Sequence, residues 1–237
     1  MEKPFAFKQF RIQQDRCAMK IGTDGVLLGA WTSIDHGPHS ILDIGSGTGI
    51  LALMLAQRSN ADIIDAIEID GSAYEQCVDN FEASLWADRL FCYHAALDEF
   101  VDEIGETYDL IISNPPFYSE TVSSGNDSRD MARQNQSLPF KDLLHGVSKL
   151  LAETGSFSTI IPSKEENEFL KIAARHHLFP KRITHVKGRL GTEVKRSLLE
   201  LRFKESEVIR DMLTIELERH RYTEAYIGLT EDFYLKM

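Results

Sequence analysis

From residue 40 onward, short apolar runs alternate with amphipathic stretches, and nothing else in the chain limits its fold as strongly. ILDI (41–44), ADIIDAIEID (61–70), LFCYH (90–94), YDLIIS (108–113) and SFSTIIP (156–162) read as strands. KRITHV (181–186) and SLLELRF (197–203) complete the set. Between them, GILALMLAQR (49–58) opens a helix from a glycine turn, and GSAYEQCVDNFEASL (71–85) places Ala73, Cys77, Val78 and Phe81 at helical spacing. ALDEFVDEI (96–104), residues 138–155 ending at Gly155, and residues 163–177 read as further helices. Strands separated by helices need right-handed crossovers and a sheet covered on both faces. The expected fold is therefore α/β, doubly wound and mostly parallel.

The first connection is LDIGSGTGI, with Gly45, Gly47 and Gly49 between strand and helix. Glycines there permit a tight turn and let a ligand approach the backbone with no Cβ in the way. The spacing is G-x-G-x-G, which is neither a dinucleotide fingerprint nor a P-loop, so NAD and ATP are disfavoured. Asp43 precedes the turn and offers a carboxylate to a cationic ligand group. Glu68 ends the second strand. In a doubly wound sheet the ends of the first two strands lie side by side at the ligand crevice. A carboxylate there can take both hydroxyls of a ribose.

A second unusual connection follows YDLIIS, where a core strand runs straight into Asn114, Pro115, Pro116 and Phe117. The stretch 118–137 after it is polar, rich in Gly and Ser, and too long for an ordinary connection. Loops of that kind beside a strand end are often lids or substrate loops.

The glycine turn, the strand-end acid and the N-P-P-F corner occur together in that order. They resemble the S-adenosylmethionine-dependent methyltransferases of the seven-stranded, Rossmann-like class, in their amino-methylating branch. FKQFRIQQDRCAMKIGTDGVLLGAW (7–31), followed by LDIGSGTG and IISNPPF, is similar to one bacterial family within it. Those enzymes N6-methylate the adenine adjacent to the anticodon in tRNA(Val). The resemblance covers residues 5–204, and its N-terminal block is the most specific part. It implies one methyltransferase domain over 1–237: an extension (1–39) over the cofactor pocket, a catalytic core (40–204) and a tail (205–237). The expected cofactor is S-adenosylmethionine and the expected partner is tRNA.

The resemblance also assigns roles. Asn114, Pro115 and Phe117 form the catalytic corner, and Pro116 and Tyr118 belong to the acceptor side. The Asn114 side-chain oxygen and the Pro115 carbonyl accept the two N–H groups of the exocyclic amine. Proline locks φ and keeps its carbonyl fixed. Phe117 offers a face for a flipped-out base, a contact worth roughly 1–3 kcal/mol. Lys20, Thr23, Asp43, Gly45, Gly47, Gly49, Glu68 and Asn114 surround the cofactor, with Asp24 beside Thr23. Thr23-Asp24 also reads as the N-cap of a helix. One departure stands out: Ala96 occupies the position where the family carries an acid for the cofactor's adenine. Backbone groups, or Asp98 reaching back, are the expected substitutes.

The net charge of −11 argues against a polyanionic partner, but its distribution does not. Residues 171–204 hold ten Lys/Arg against Glu193 and Glu200, whereas 21–170 hold seven against 25 acids. Lys187, Arg189, Lys195 and Arg196 are expected to meet RNA phosphates as the adenine enters. The alternative is a set of solvated surface charges.

Three widely spaced cysteines make neither a disulfide framework nor a zinc site. His94, His145, His176, His177 and His185 show no metal-ligand spacing, so no metal is expected. Trp31 and Trp86 read as core residues. With no signal peptide or membrane span in the sequence, a cytoplasmic enzyme without an obligate protein partner is expected. The competing function is methylation of a glutamine side chain on a translation factor, or of another adenine-containing nucleic acid. Enzymes of the glutamine class carry a separate N-terminal helical domain, for which there is no room before Asp43. A ligand-binding module without catalysis would leave the N-P-P-F corner idle. Tyr222, Tyr226 and Tyr234 in the tail are open to packing on the sheet edge or to RNA contact.

Overall fold

A computed structural model describes residues 3–116 and 138–236. Phe117, Tyr118 and the polar stretch up to residue 137 lie outside the described residues.

A short hairpin of β1 (Phe5–Ala6) and β2 (Arg11–Ile12) leads into helix α1 (Thr23–Trp31). The alternating part of the chain then forms β3 (Ser40–Ile44), α2 (Ile50–Arg58), β4 (Ile63–Glu68), α3 (Gly71–Glu82), β5 (Leu90–His94), α4 (Leu97–Glu103) and β6 (Tyr108–Ser113). After the undescribed stretch come α5 (Phe140–Leu150), β7 (Leu151–Pro162), a short 3-10 turn at Ser163–Glu165, α6 (Glu166–Arg175), β8 (Phe179–Arg189) and β9 (Val194–Arg202). The tail adds β10 (Ile209–Glu218), β11 (Arg221–Tyr222) and α7 (Glu224–Thr230).

The main sheet runs β11-β10-β8-β9-β7-β6-β3-β4-β5. Its seven core strands, β3 to β9, are parallel except for β9, which lies antiparallel between β7 and β8. The expected seven-stranded sheet is present, and the tail extends it: β10 pairs with β8 and β11 with β10. The strand order switches sides at β3, with β4 next to it on one side and β6 on the other, which makes the ends of these parallel strands the crevice of the sheet.

Side chains alternate across the strands. Ile41, Leu110, Ile112 and Ile160 face a layer built from α1, α2, α3 and α7, where Leu53, Met54, Phe81 and Tyr226 are buried. Leu42, Ile111, Phe157 and Ile161 face α4, α5 and α6, where Phe100, Leu144 and Phe169 are buried. Burial on both faces explains why consecutive positions of β3, β4 and β6 are apolar, with Asp43 and Asp65 the buried exceptions.

Two local expectations are corrected. The helix starting near residue 140 ends at Leu150, and Gly155 belongs to β7. A Cβ at Gly155 would lie 2.8 Å from Leu151 Cδ1 and 3.0 Å from Asp109 O, at a bulge where the β6–β7 register shifts. The glycine serves a close approach of two strands rather than a helix end. In α1 the cap residue is Gly22, and no side chain caps the helix. Asp24 instead places its charge in the first turn, favourably toward the helix dipole. Trp31 is in the core, with Nε1 donating to Thr184 Oγ1 at 2.9 Å. In the tail Tyr226 is buried and Tyr234 packs on Phe5 and Phe7, so these two rings pack rather than project.

Candidate active site

All three glycines of the turn are left-handed: Gly45, Gly47 and Gly49 have φ of +73°, +53° and +77°. The N–H groups of Gly45 and Ser46 both donate to Ile67 O, at 3.0 and 3.1 Å, which ties the turn to the end of β4. A Cβ on Gly45 or Gly47 would point into open space, whereas one on Gly49 would lie 2.5 Å from Phe81 and 2.9 Å from Cys77 Sγ. The first two glycines therefore leave room for a ligand, and the third permits close packing of α2 on α3.

Glu68, at the end of β4, accepts from Gly47 N–H at Oε2 (2.8 Å) and from Asp70 N–H at Oε1 (2.9 Å). Its carboxylate is thus oriented at the cleft rim. Asp70 caps α3 by accepting from Ala73 N–H at 2.9 Å.

These groups floor a cleft with about 990 Å³ of empty space, open solvent at its mouth included. Gly45, Gly47 and Glu68 meet Asn114, Pro115 and Pro116 across it. Ile69, Ala95, Ala96 and Leu97 form an apolar wall, and Cys17, Ala18 and Met19 of the N-terminal segment form another. The carboxylates at one end and apolar walls elsewhere suit a ligand with one positive centre and a flat heterocycle. Burial pushes the Cys17 thiol up to about 11, so it stands in the wall as a neutral group.

The Asn114 Oδ1 atom is buried and has no hydrogen-bond partner among the described residues. Neighbouring Ser113, by contrast, is satisfied by Ile44 O at 2.8 Å. A buried acceptor left unpaired costs roughly 1–3 kcal/mol, and in a cleft wall it points to a donor supplied from outside.

Several expected residues are placed differently. Asp43 does not line the cleft: it is fully buried beneath the turn, accepting from Ala52 N–H at 3.3 Å. Burial, with Glu68 adding repulsion, raises its carboxyl to about 7. Lys20 and Thr23 are exposed and lie outside the lining, next to Cys17–Met19 which supply it. Asp98 is exposed and also outside the lining, while Ala96 N–H is engaged by Glu99 Oε2 at 3.1 Å. An apolar slot of Ile69, Ala96 and Leu97 stands where an acid was expected. Phe117 and Tyr118 lie outside the described residues.

The basic segment is partly neutralised. Lys181, Arg182 and Arg202 surround the buried Glu200 carboxylate at 3.3, 3.4 and 3.1 Å. Arg182 also lies over the Trp31 ring, 3.8 Å from its centroid. Arg196 Nε donates to Asp24 Oδ2 at 2.8 Å, and Arg189 lies 3.6 Å from Glu216. Since β6, β7 and β8 run in one direction, Lys187, Arg189, Lys195 and Arg196 stand at the same edge of the sheet as Asn114. Lys195 is exposed at a bulge where the register slips between Val186/Arg196 and Lys187/Val194. Among the histidines, His185 pairs with Glu166 at 2.8 Å, and no cluster able to hold a metal occurs among the described residues. Nor is any described helix long and apolar enough to cross a membrane.

Residues 26–168 match the family model of the methyltransferase small domain. Two curated relatives, both named tRNA1(Val) (adenine(37)-N6)-methyltransferase, align over the whole chain. That of Christiangramia forsetii is 60% identical over 237 residues, 99% of each chain. That of Bacteroides fragilis is 42% identical over 239 residues, 100% of each chain. The solved structure of a "predicted O-methyltransferase" from Agrobacterium tumefaciens shares the fold, with a TM-score of 0.68, 20% identity and coverage of 89% of this chain and 96% of that one. With a glycine turn, an oriented acid and a buried asparagine oxygen around one cleft, the chain belongs to the tRNA1(Val) (adenine(37)-N6)-methyltransferase family.

Proposed function

We propose that the protein transfers a methyl group from S-adenosylmethionine to the exocyclic N6 amine of adenine 37 in tRNA1(Val), as the names of its full-length relatives state for them. The observation that carries the reading is the buried Asn114 Oδ1 in the wall of the cleft, which has no hydrogen-bond partner among the described residues.

The cleft fits the donor. Gly45 and Gly47 leave the space its backbone-hugging part requires, Glu68 offers carboxylate oxygens to the ribose, and Ile69, Ala96 and Leu97 give the adenine an apolar slot. When bound, the donor supplies a methyl group on a positively charged sulfur, and the departing thioether is neutral.

Asn114 Oδ1 and the Pro115 carbonyl accept the two N–H groups of the incoming amine. Holding both turns the nitrogen lone pair out of conjugation with the base and toward the cleft. The contribution of the protein is mainly positioning, which is worth several kcal/mol of the barrier. No strong base is required, because the amine loses its proton after the new N–C bond forms. Phe117, Pro116 and Tyr118 are assigned to the acceptor side, Phe117 as the face offered to the flipped base. Lys187, Arg189 and Lys195 at the same edge meet RNA phosphates. Arg196, held by Asp24, links that edge to α1.

Mapping methyl-adenosine by mass spectrometry in tRNA from cells with and without the protein tests the reading. Loss of the modification at a single adenine of tRNA1(Val) supports it. Methylation of a release-factor glutamine by the purified protein, with tRNA untouched, would overturn it.

A further inference from the structure

The N-terminal segment is held by side chains where a neighbouring strand would ordinarily hold it. Gln13 N–H donates to Asn80 Oδ1 at 2.8 Å, and Asn80 Nδ2 donates back to Gln13 O at 2.9 Å. Arg16 N–H donates to Gln76 Oε1 at 3.2 Å. Gln76 and Asn80 lie one turn apart on α3 and are only 1% and 2% exposed. Burying two amides on a packed helix is unfavourable unless their bonds are made, and here the segment's backbone makes them. Asn80 Nδ2 also donates to Thr48 O in the glycine turn, at 2.9 Å. One side chain therefore touches both the N-terminal segment and the turn under the cleft.

The root of the segment is fixed separately. Lys8 N–H donates to Phe233 O at 2.8 Å, and Phe7 bridges to Tyr234 while packing on Phe10. The two ends of the chain thus meet and anchor the start of the segment. Past Arg16 the character changes. Ile21 N–H closes a loop on Gln14 Oε1 at 3.0 Å. Cys17, Ala18 and Met19 stand over the cleft beside Glu68 and Asp70, with Met19 56% exposed at the mouth.

We propose that residues 13–20 form a strap that closes over the bound methyl donor, with Gln76 and Asn80 as positioning residues that set its closed position. The proposal rests on the methyl-donor reading above. A ligand filling the cleft gains contact with Cys17–Met19 while the two buried amides, with the exposed Arg16 guanidinium pairing Glu75 and Asp79, hold the segment on α3. Asn80 makes the same closure depend on an intact glycine turn. The strap then governs how fast the donor and its product leave, separately from the chemistry at Asn114.

Hydrogen exchange of the full chain with and without S-adenosylhomocysteine, together with its dissociation rate by stopped flow, tests this. Ligand is expected to slow exchange across 13–20. Gln76→Met keeps volume and removes the acceptor, and is expected to speed dissociation about tenfold, the worth of one buried hydrogen bond with its stranded donor. Melting temperature is expected to move by only a few degrees. Arg16→Pro deletes the same N–H from the strap, at an exposed residue outside the packed helix, together with the guanidinium pairs to Glu75 and Asp79, and is expected to speed dissociation further than Arg16→Ala, which loses only those pairs, if Gln76→Met does not fold. Exchange in 13–20 indifferent to ligand, or unchanged dissociation in the variants, overturns the strap. A wild-type protein that binds no S-adenosylhomocysteine overturns the methyl-donor reading and the strap with it.

Discussion

Gly47 N–H donates to Glu68 Oε2 at 2.8 Å, so the acid at the end of β4 braces the glycine turn with the same carboxylate it presents to the cleft. A substitution at Glu68 therefore removes both a ligand contact and a turn contact. Glu68→Ala is expected to weaken S-adenosylmethionine binding by roughly 1.5–3 kcal/mol, the worth of charge-assisted hydrogen bonds to the ribose. Calorimetry measures it, and unchanged affinity would assign the ribose to another group such as Asp70.

Asn114→Ala removes the buried Oδ1 and leaves the floor of the cleft intact. Single-turnover methylation is expected to fall by on the order of 10²-fold or more, since orientation of the amine is lost. Donor affinity should change little. A variant keeping above about a tenth of the rate would remove Asn114 from its assigned role.

Burial raises the Asp43 carboxyl from 3.8 to about 7. The folded state then binds this proton more tightly than the unfolded state does. The stabilising contribution is present below pH about 4 and is lost as pH rises toward 7. Asp43→Asn cannot titrate, so its melting temperature should gain on that of the wild type between pH 5 and pH 8, without ligand. A difference that stays constant across this range would contradict the raised value.

Gly49 combines φ of +77° with a Cβ position 2.5 Å from Phe81. Gly49→Ala should destabilise the fold by several kcal/mol through overpacking and strain together. Gly47→Ala, where a Cβ meets open space, is expected to cost less stability and more donor affinity. Thermal melts and calorimetry on both variants separate the two effects.

Lys187→Glu with Lys195→Glu is expected to raise the apparent KM for tRNA at least about tenfold and to flatten its salt dependence, as loss of two phosphate contacts should. Arg196→Glu should behave differently, because it sets a carboxylate against Asp24, its partner at 2.8 Å. The expected result there is a lower melting temperature. Indifference of tRNA methylation to the lysine pair and to salt would leave these residues as solvated charges.

The order of core strands and helices, the glycine turn, Glu68 and the Asn114 corner were legible in the sequence because each is a local pattern. Periodicity reports burial, glycine spacing reports backbone conformation, and a polar residue ending a core strand reports a site. The pairing of charges was not legible. Lys181, Arg182 and Arg202 counted toward a basic patch until strand pairing placed them around Glu200. Gly155 read as a helix end until β6 approached β7 closely enough to exclude a Cβ. Nothing local marked Gln76 and Asn80 on α3, since their partners Arg16 and Gln13 lie 60 and 67 residues away. The tail carried no motif, and only the free edge of β8 decided that it joins the sheet. In each case the sequence by itself set what a segment prefers, while the tertiary structure decided which distant group satisfies it. A hydrogen bond or ion pair depends on where two segments meet in space, and local pattern does not encode that meeting.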